Sequence, residues 1–500
     1  METIRPTASA HHAPIHSTQD RIGILAAVCL AALILPLSFT SGAIATPVIG
    51  RDLGGSQLAL NWVTNAFMLS FGSLLMTAGV LADVLGRKRL FAGGVLLFTV
   101  SSLVTVWAPG IVWLDVLRAV QGVAAAGALA GGSAALAQEF EGHARTRAFS
   151  LLGTSFGVGL ALGPVLAGML IEWQGWRSVF VSSAIVGTLA LLLGVPRMRE
   201  SRDPGALHFD VLGASTFTAM LVLLTWGVLQ LPSSGWVRPL PWALLVGAGL
   251  AGWAFLHIER RARRPMLEVS LFRYPRFLGV QMLPIATAGC YVVLLVQLPL
   301  QLIGIKGQSE IGAGLTMITL SAPLLAVPTI AAVLTRWVSA SRLCASGLLI
   351  AAGGLFWLSR VDARQASALI APLLTIGIGT GLPWGLMDGL AVSVVPKERA
   401  GMAIGIFSTV RVAGEGVAIA IVSAILALLI QLQLPASAAA QGFALAQDLA
   451  GGNLGSAVKH APQIHMGILV HAYDRAFREL TNCLIAVTVF SAAVVGWLLE

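Results

Sequence analysis

The chain has 500 residues, of which 57% are hydrophobic and 11% charged, against about 25% charged in ordinary soluble domains. No polar stretch between the apolar runs is long enough to build a core of its own, which excludes a soluble enzyme or binding module. The formal net charge of +9 does not point to nucleic acid, because the bases lie in short segments between apolar runs, where they act as topology signals.

Residues 1–21 read as a polar tail whose HHAPIH lacks the regular spacing of a metal site. A hydrocarbon core of about 30 Å is crossed by a helix of 18 or more apolar residues. Fourteen such spans are expected, at 22–46, 57–82, 90–108, 111–138, 147–171, 177–195, 210–230, 240–258, 277–303, 311–335, 343–359, 366–394, 402–432 and 476–498. The Ala-Ile-Ala at 43–45 resembles a signal-cleavage tripeptide, but the apolar run before it is too long, so span 1 is expected to stay uncleaved. Cys29, Cys290, Cys344 and Cys483 all fall inside apolar runs, which implies neither disulfides nor a metal centre.

An even count puts both termini on one side. With cytoplasmic termini, about twenty Lys and Arg fall in inner segments and about nine outside, the asymmetry that favours this orientation. The chain is therefore expected in the cell (inner) membrane, with 433–474 as its longest outer loop. A weak repeat supports the count: VLADVLGRKRL at 80–90 aligns with VLTRWVSASRL at 333–343, after spans 2 and 10, so two six-span halves flank two extra spans. The expected division is 22–195 for the first bundle, 196–275 for the inserted hairpin and 276–500 for the second bundle.

Three stretches carry mechanism. GVLADVLGRKRL at 79–90 places Gly79, Asp83 and Gly86 before the basic run Arg87, Lys88 and Arg89. LDVLRAVQGVAAAGA at 114–128 buries Arg118 about two turns into span 4, which is costly unless the guanidinium is paired or faces water. Asp115, at i to i+3 spacing, is the candidate partner, and Gln121 follows. GVGLALGPVLAG at 157–168 holds Gly159, Gly163, Pro164 and Gly168, a kink flanked by close-packing positions. No strand precedes these glycines, so they are not a dinucleotide fingerprint.

Together with GWRSVF at 175–180, FDVLG at 209–213, QLPLQ at 297–301 and VPKERAGMAIGIFSTVRVAGEG at 395–416, these motifs resemble the fourteen-span drug:proton antiporters of the major facilitator superfamily. The resemblance implies an all-α integral membrane fold of two six-helix bundles plus two central spans. It also implies a conformational latch at 79–90, an Arg118 that assists proton coupling, and a rocking kink in span 5. Two departures stand out. Members commonly carry an acid in span 1, where this chain has Ser38, so no proton site is carried over to that span. Acids appear instead at Asp388 in span 12 and at Glu415 in span 13, four residues after Arg411. Glu415 is expected about 21 Å along its helix from Gly401, where a carboxylate must be paired, solvated or protonated.

The leading expectation is thus a monomeric secondary transporter that exports small amphipathic compounds in exchange for protons, with no cofactor, no metal and no catalytic residue. No nucleotide-binding G-x-x-x-x-G-K-[ST] occurs, so an ion gradient supplies the energy. Proton-coupled uptake shares the fold and differs in coupling; a membrane receptor or enzyme would need a clustered His or triad set that the scattered histidines do not offer. Asn65, Gln121, Trp384, Met387 and Phe407 are the candidate cavity residues, and the substrate itself is not legible.

Overall fold

A computed structural model describes residues 17–499 apart from 141, 202–209, 235–237, 263–268, 362–365, 396–399 and 436–440. The tail histidines, His208 and Lys397 lie outside the described residues. Among the described residues, fourteen helices are long and apolar enough to cross a membrane: Thr18–Leu53, Leu58–Leu85, Arg87–Thr105, Ile111–Glu139, Leu151–Gln174, Arg177–Gly194, Val211–Leu231, Pro239–Arg261, Pro275–Ile305, Glu310–Leu334, Ala340–Leu358, Ser367–Ala391, Gly405–Gln433 and Met466–Leu499. They are spans 1 to 14. With an even number, both described chain ends emerge at one face, the terminal face, opposite the far face.

The expected boundaries differ most at span 14, which starts at Met466 rather than at 476. Polar residues such as His471 and Asp474 conceal the start, yet Leu469, Tyr473, Ala476, Phe477 and Leu480 are buried at helical spacing, so one face packs while the other stays polar. The expected outer loop also contains two short helices, Gly442–Ala450 and Leu454–His460. Their Leu445, Leu449, Leu454 and Ala457 are buried in the main core.

Small residues set the packing within each half. A Cβ at Gly122 of span 4 would run into Ser70 and the Phe67 carbonyl of span 2, and one at Gly347 of span 11 into the Gly379 carbonyl of span 12. Close approach of this kind holds helices together where lipid removes any hydrophobic drive between them. Spans 7 and 8 pair with each other outside the bundles, with span 7 lying against spans 2 and 13.

Prolines and wide turns break two spans of the second half. Span 9 contains π-helical turns at Ala288–Val292 and Leu300–Ile305, a local widening that often marks functional sites. Span 10 is two helices, Glu310–Ser321 and Pro323–Leu334, because Pro323 has no N–H to continue the ladder and its ring crowds the preceding turn.

The halves close at the far face. Arg51 of span 1 bonds Glu310 of span 10 at 2.8 Å, and Glu172 at the end of span 5 accepts from the Ile311 N–H at 3.3 Å. A Cβ at Gly314 would sit 2.8 Å from the Pro164 carbonyl. Toward the terminal face, Gly153 of span 5 and Gly79 of span 2 both look onto open space. Because Arg51 is largely exposed, its ion pair is worth about 0.2–1 kcal/mol. Arg51→Ala is therefore expected to shift the conformational balance toward far-face opening only severalfold, read as a longer separation between spin labels on the far ends of spans 1 and 10.

Candidate coupling and substrate site

Arg118 is fully buried and is satisfied by neutral groups. Its Nε donates to the Val63 carbonyl at 2.8 Å, and its Nη1 to Ser38 Oγ at 2.9 Å and Gln121 Oε1 at 2.8 Å. The guanidinium lies 4.5 Å from the Phe67 ring centroid, a cation–π contact. Gln121 in turn donates to Ser102 at 3.1 Å. Ser38 thus stands where the acid of the resembled pattern would be and bonds the arginine in its place. The expected Asp115 partner forms no hydrogen bond with Arg118 and acts on it only electrostatically, with Asp115 Oδ1 buried and without a hydrogen-bond partner. One turn separates the two residues, but the Arg118 side chain runs toward spans 1 and 2.

The second cluster lies in the other half. Arg411 Nη1 reaches both carboxylate oxygens of Asp388, at 3.1 and 3.2 Å. The guanidinium also lies 5.5 Å from the Phe407 ring and 5.9 Å from the ring of Phe156 in span 5. The arginine therefore crosses between spans 13 and 12 rather than along its own helix to Glu415. Glu415 is buried, 8% exposed, and makes no hydrogen bond or ion pair with a described residue, although it lies close enough to Arg411 and Tyr291 to act on both electrostatically. The Tyr291 hydroxyl donates to Ser321 at 3.0 Å, and its ring meets Trp384 edge-on at 5.8 Å.

Of the remaining cavity candidates, Asn65 is buried and donates to the Asn61 carbonyl at 2.9 Å, leaving its Oδ1 without a partner. Met387 and Phe407 are fully buried, Phe407 beside Arg411. Gln121 belongs with Arg118, and Trp384 with Tyr291.

The basic motif folds back on its own half. Asp83 and Arg87 pair at 3.1 Å, Arg87 also donates to Gln138 at 3.1 Å, and Arg89 pairs with Glu200 at 3.4 Å. Gly86 takes φ +109, a conformation that favours glycine, and this turns the chain between spans 2 and 3. Neither of these ion pairs reaches the second half. In span 5, Gly159 and Gly163 approach Leu33 and Thr40 of span 1, while Gly168 approaches the Glu310 carbonyl of span 10.

Several residues escaped the sequence reading. Asp52 accepts from Trp176 at 2.9 Å and pairs with Arg177 at 2.7 Å, joining the end of span 1 to GWRSVF. Phe156 touches the arginine of the opposite half, and Lys306 pairs with Asp474 at 2.6 Å with little exposure. Only their charge or aromatic character marked them, and neither names a distant partner.

Comparison with known proteins adds four findings. Residues 28–419 match a family model described as Major Facilitator Superfamily. Multidrug resistance protein Stp of Mycobacterium tuberculosis (strain ATCC 25618 / H37Rv) is 30% identical over 390 residues, covering 77% of this chain and 72% of that one. Cephamycin export protein CmcT of Amycolatopsis lactamdurans is 31% identical over 428 residues, covering 84% and 88%. The fold is similar to that of a bacterial homologue of the human lysosomal transporter Spinster, with a TM-score of 0.65 and 15% identity over 96% of this chain and 97% of that one.

Proposed function

Since the chain belongs to the major facilitator superfamily, and so to the membrane transporters of small molecules, we propose that it exports amphipathic organic compounds in exchange for protons, with Glu415 as the exchanging group. The observation that carries this reading is a buried carboxylate without an ion pair, while the arginine one turn away is held by Asp388. An ionised Glu415 in that setting is costly, and a proton removes the cost. A change of conformation that brings Arg411 toward Glu415, or water to it, reverses the preference. The span 1 position common in the resembled antiporters holds Ser38, which cannot titrate in this range, so span 1 itself supplies no exchanging group. Relatives named for multidrug resistance and cephamycin export favour export of such compounds.

The experiment uses proteoliposomes loaded at acid pH. A fluorescent drug added outside is expected to accumulate and to alkalinise the lumen as protons leave; luminal acidification would indicate symport, and no pH change would remove the coupling claim. The terminal face is taken as cytoplasmic. Cysteines introduced at Lys459 on the far face and Arg336 on the terminal face, both exposed, are expected to label in intact cells at the first site alone, and labelling of the second alone would invert the topology.

Asp83→Asn is expected to leave membrane protein levels unchanged and to slow export several-fold, because the Arg87 pair would lose its anion at an interface that must move, a coupling of about 1–3 kcal/mol. Export at the wild-type rate would remove the latch role.

A further inference from the structure

Span 10 is shared between the two bundles. Its far segment, Glu310–Ser321, leans on span 5 of the first half, where Cβ atoms at Gly168 and Gly314 would meet the Glu310 and Pro164 carbonyls. Its terminal segment, Pro323–Leu334, lies chiefly on span 12 of its own half, with Val327 against Gly381 and Pro328 against Gly385. The bend between them falls at Pro323, which has no N–H to offer the Thr319 carbonyl one turn back. The backbone of span 10 therefore does not fix the angle by itself, and side chains from neighbouring spans must set it.

Tyr291 reaches the bend. Ser321, fully buried, is the last residue of the far segment, and its Oγ accepts from the Tyr291 hydroxyl at 3.0 Å. Tyr291 itself lies in the π-helical turn Ala288–Val292 of span 9, which packs on span 13, and there it is within electrostatic reach of Glu415. Among the described residues, the ionisable groups that face Glu415 are thus Arg411 from its own span and Tyr291 from span 9, with Asp388 of span 12 held on the Arg411 guanidinium. A phenol has one proton to give. An ionised carboxylate takes it in preference to a neutral hydroxyl, since a charge-assisted hydrogen bond is about twice as strong as a neutral one, whereas a protonated carboxyl makes no such claim.

We propose that Tyr291 is a positioning residue that carries the protonation state of Glu415 to the bend of span 10. With Glu415 protonated, Tyr291 holds Ser321, and the bent span keeps its far segment on span 5, as in the closed far face of this structure. With Glu415 ionised, the Tyr291 proton turns to the carboxylate, Ser321 is let go, and the far segment is free to straighten away from span 5. Proton release toward the terminal face then permits far-face opening, and proton capture from the far side closes it again, which is the order an exchanger requires. The proposal rests on the reading of Glu415 above.

The test reads far-face opening in lipid nanodiscs as the distance between spin labels replacing Trp173 of span 5 and Leu315 of span 10, both exposed. In the wild type, the ratio of open to closed molecules is expected to rise about fivefold from acid to mildly alkaline pH, the scale of one hydrogen bond. Tyr291→Phe keeps the ring against Trp384 and removes the hydroxyl, so its ratio is expected to sit at the wild-type alkaline value at every pH. Ser321→Ala is expected to do the same from the other end of the bond, and Glu415→Gln to hold the acid value throughout. A pH response that survives in Tyr291→Phe or in Ser321→Ala overturns the relay while leaving Glu415 as the exchanging group. Opening that ignores pH in the wild type overturns it as well, and the proton movement measured in proteoliposomes then decides separately whether Glu415 exchanges at all.

Discussion

Replacing Glu415 by Gln is expected to abolish uphill export while downhill exchange of substrate stays within about twofold of wild type, a difference far above the ~1.4 kcal/mol that a tenfold change represents. Glutamine keeps the shape of the side chain and removes its titration. The Arg411–Asp388 contact does not involve Glu415, so packing around span 13 is expected to survive. The measurement is paired: dye accumulation driven by a proton gradient, and exchange of labelled for unlabelled dye with no gradient. Proton-driven accumulation at the wild-type rate would remove Glu415 from coupling, and loss of both activities would make it a structural or binding residue. Asp388→Asn separates the roles further. It would free Arg411 for Glu415, and an ion pair there would oppose protonation, so export is expected to demand a more acidic far side.

Arg118→Met is expected to cost transport about tenfold or more, again ~1.4 kcal/mol or above, with protein still present in the membrane. Loss of the guanidinium orphans Ser38 Oγ and Gln121 Oε1, at about 1–3 kcal/mol for each group left unsatisfied. Removal of a buried charge offsets part of that loss, so the fold is expected to persist with a disordered junction of spans 1, 2 and 4. Arg118→Lys is expected to fail as well, because a compact ammonium cannot reproduce the planar fork that reaches Val63, Ser38 and Gln121 together. Full export by the lysine variant would reduce Arg118 to a generic positive charge.

The spans were legible because a membrane demands a minimum apolar length, a property of the local sequence alone. Span 14 escaped in part, since its first turns are polar on one side and read as loop. The pairing of the charged residues was much less legible. Spacing on one helix proposed Asp115 for Arg118 and placed Arg411 beside Glu415, whereas the structure sends both arginines to other helices, to Ser38 and to Asp388. Periodicity names the residues that share a face and is silent on what that face meets. Asp388 lies in a span with prolines at 372 and 383, and its approach to Arg411 depends on how those bend the helix. The π-helical turns of span 9 likewise arise from tertiary packing, whereas the proline that divides span 10 was visible in SAPLLAVP at 321–328.

The short helices Gly442–Ala450 and Leu454–His460 give the far mouth a roof with one bearing wall. Gly452, at φ +74, lays its backbone on Leu300 and Gly304 of span 9, and the first short helix rests chiefly on spans 13, 7, 2 and 14. The first of them is therefore seated over the flank where span 7 lies against spans 2 and 13, and a molecule leaving upward on that side would meet a ceiling. If the chain exports, egress would be turned sideways, toward the flank of spans 1, 5 and 10, where the Arg51–Glu310 tie would be the threshold.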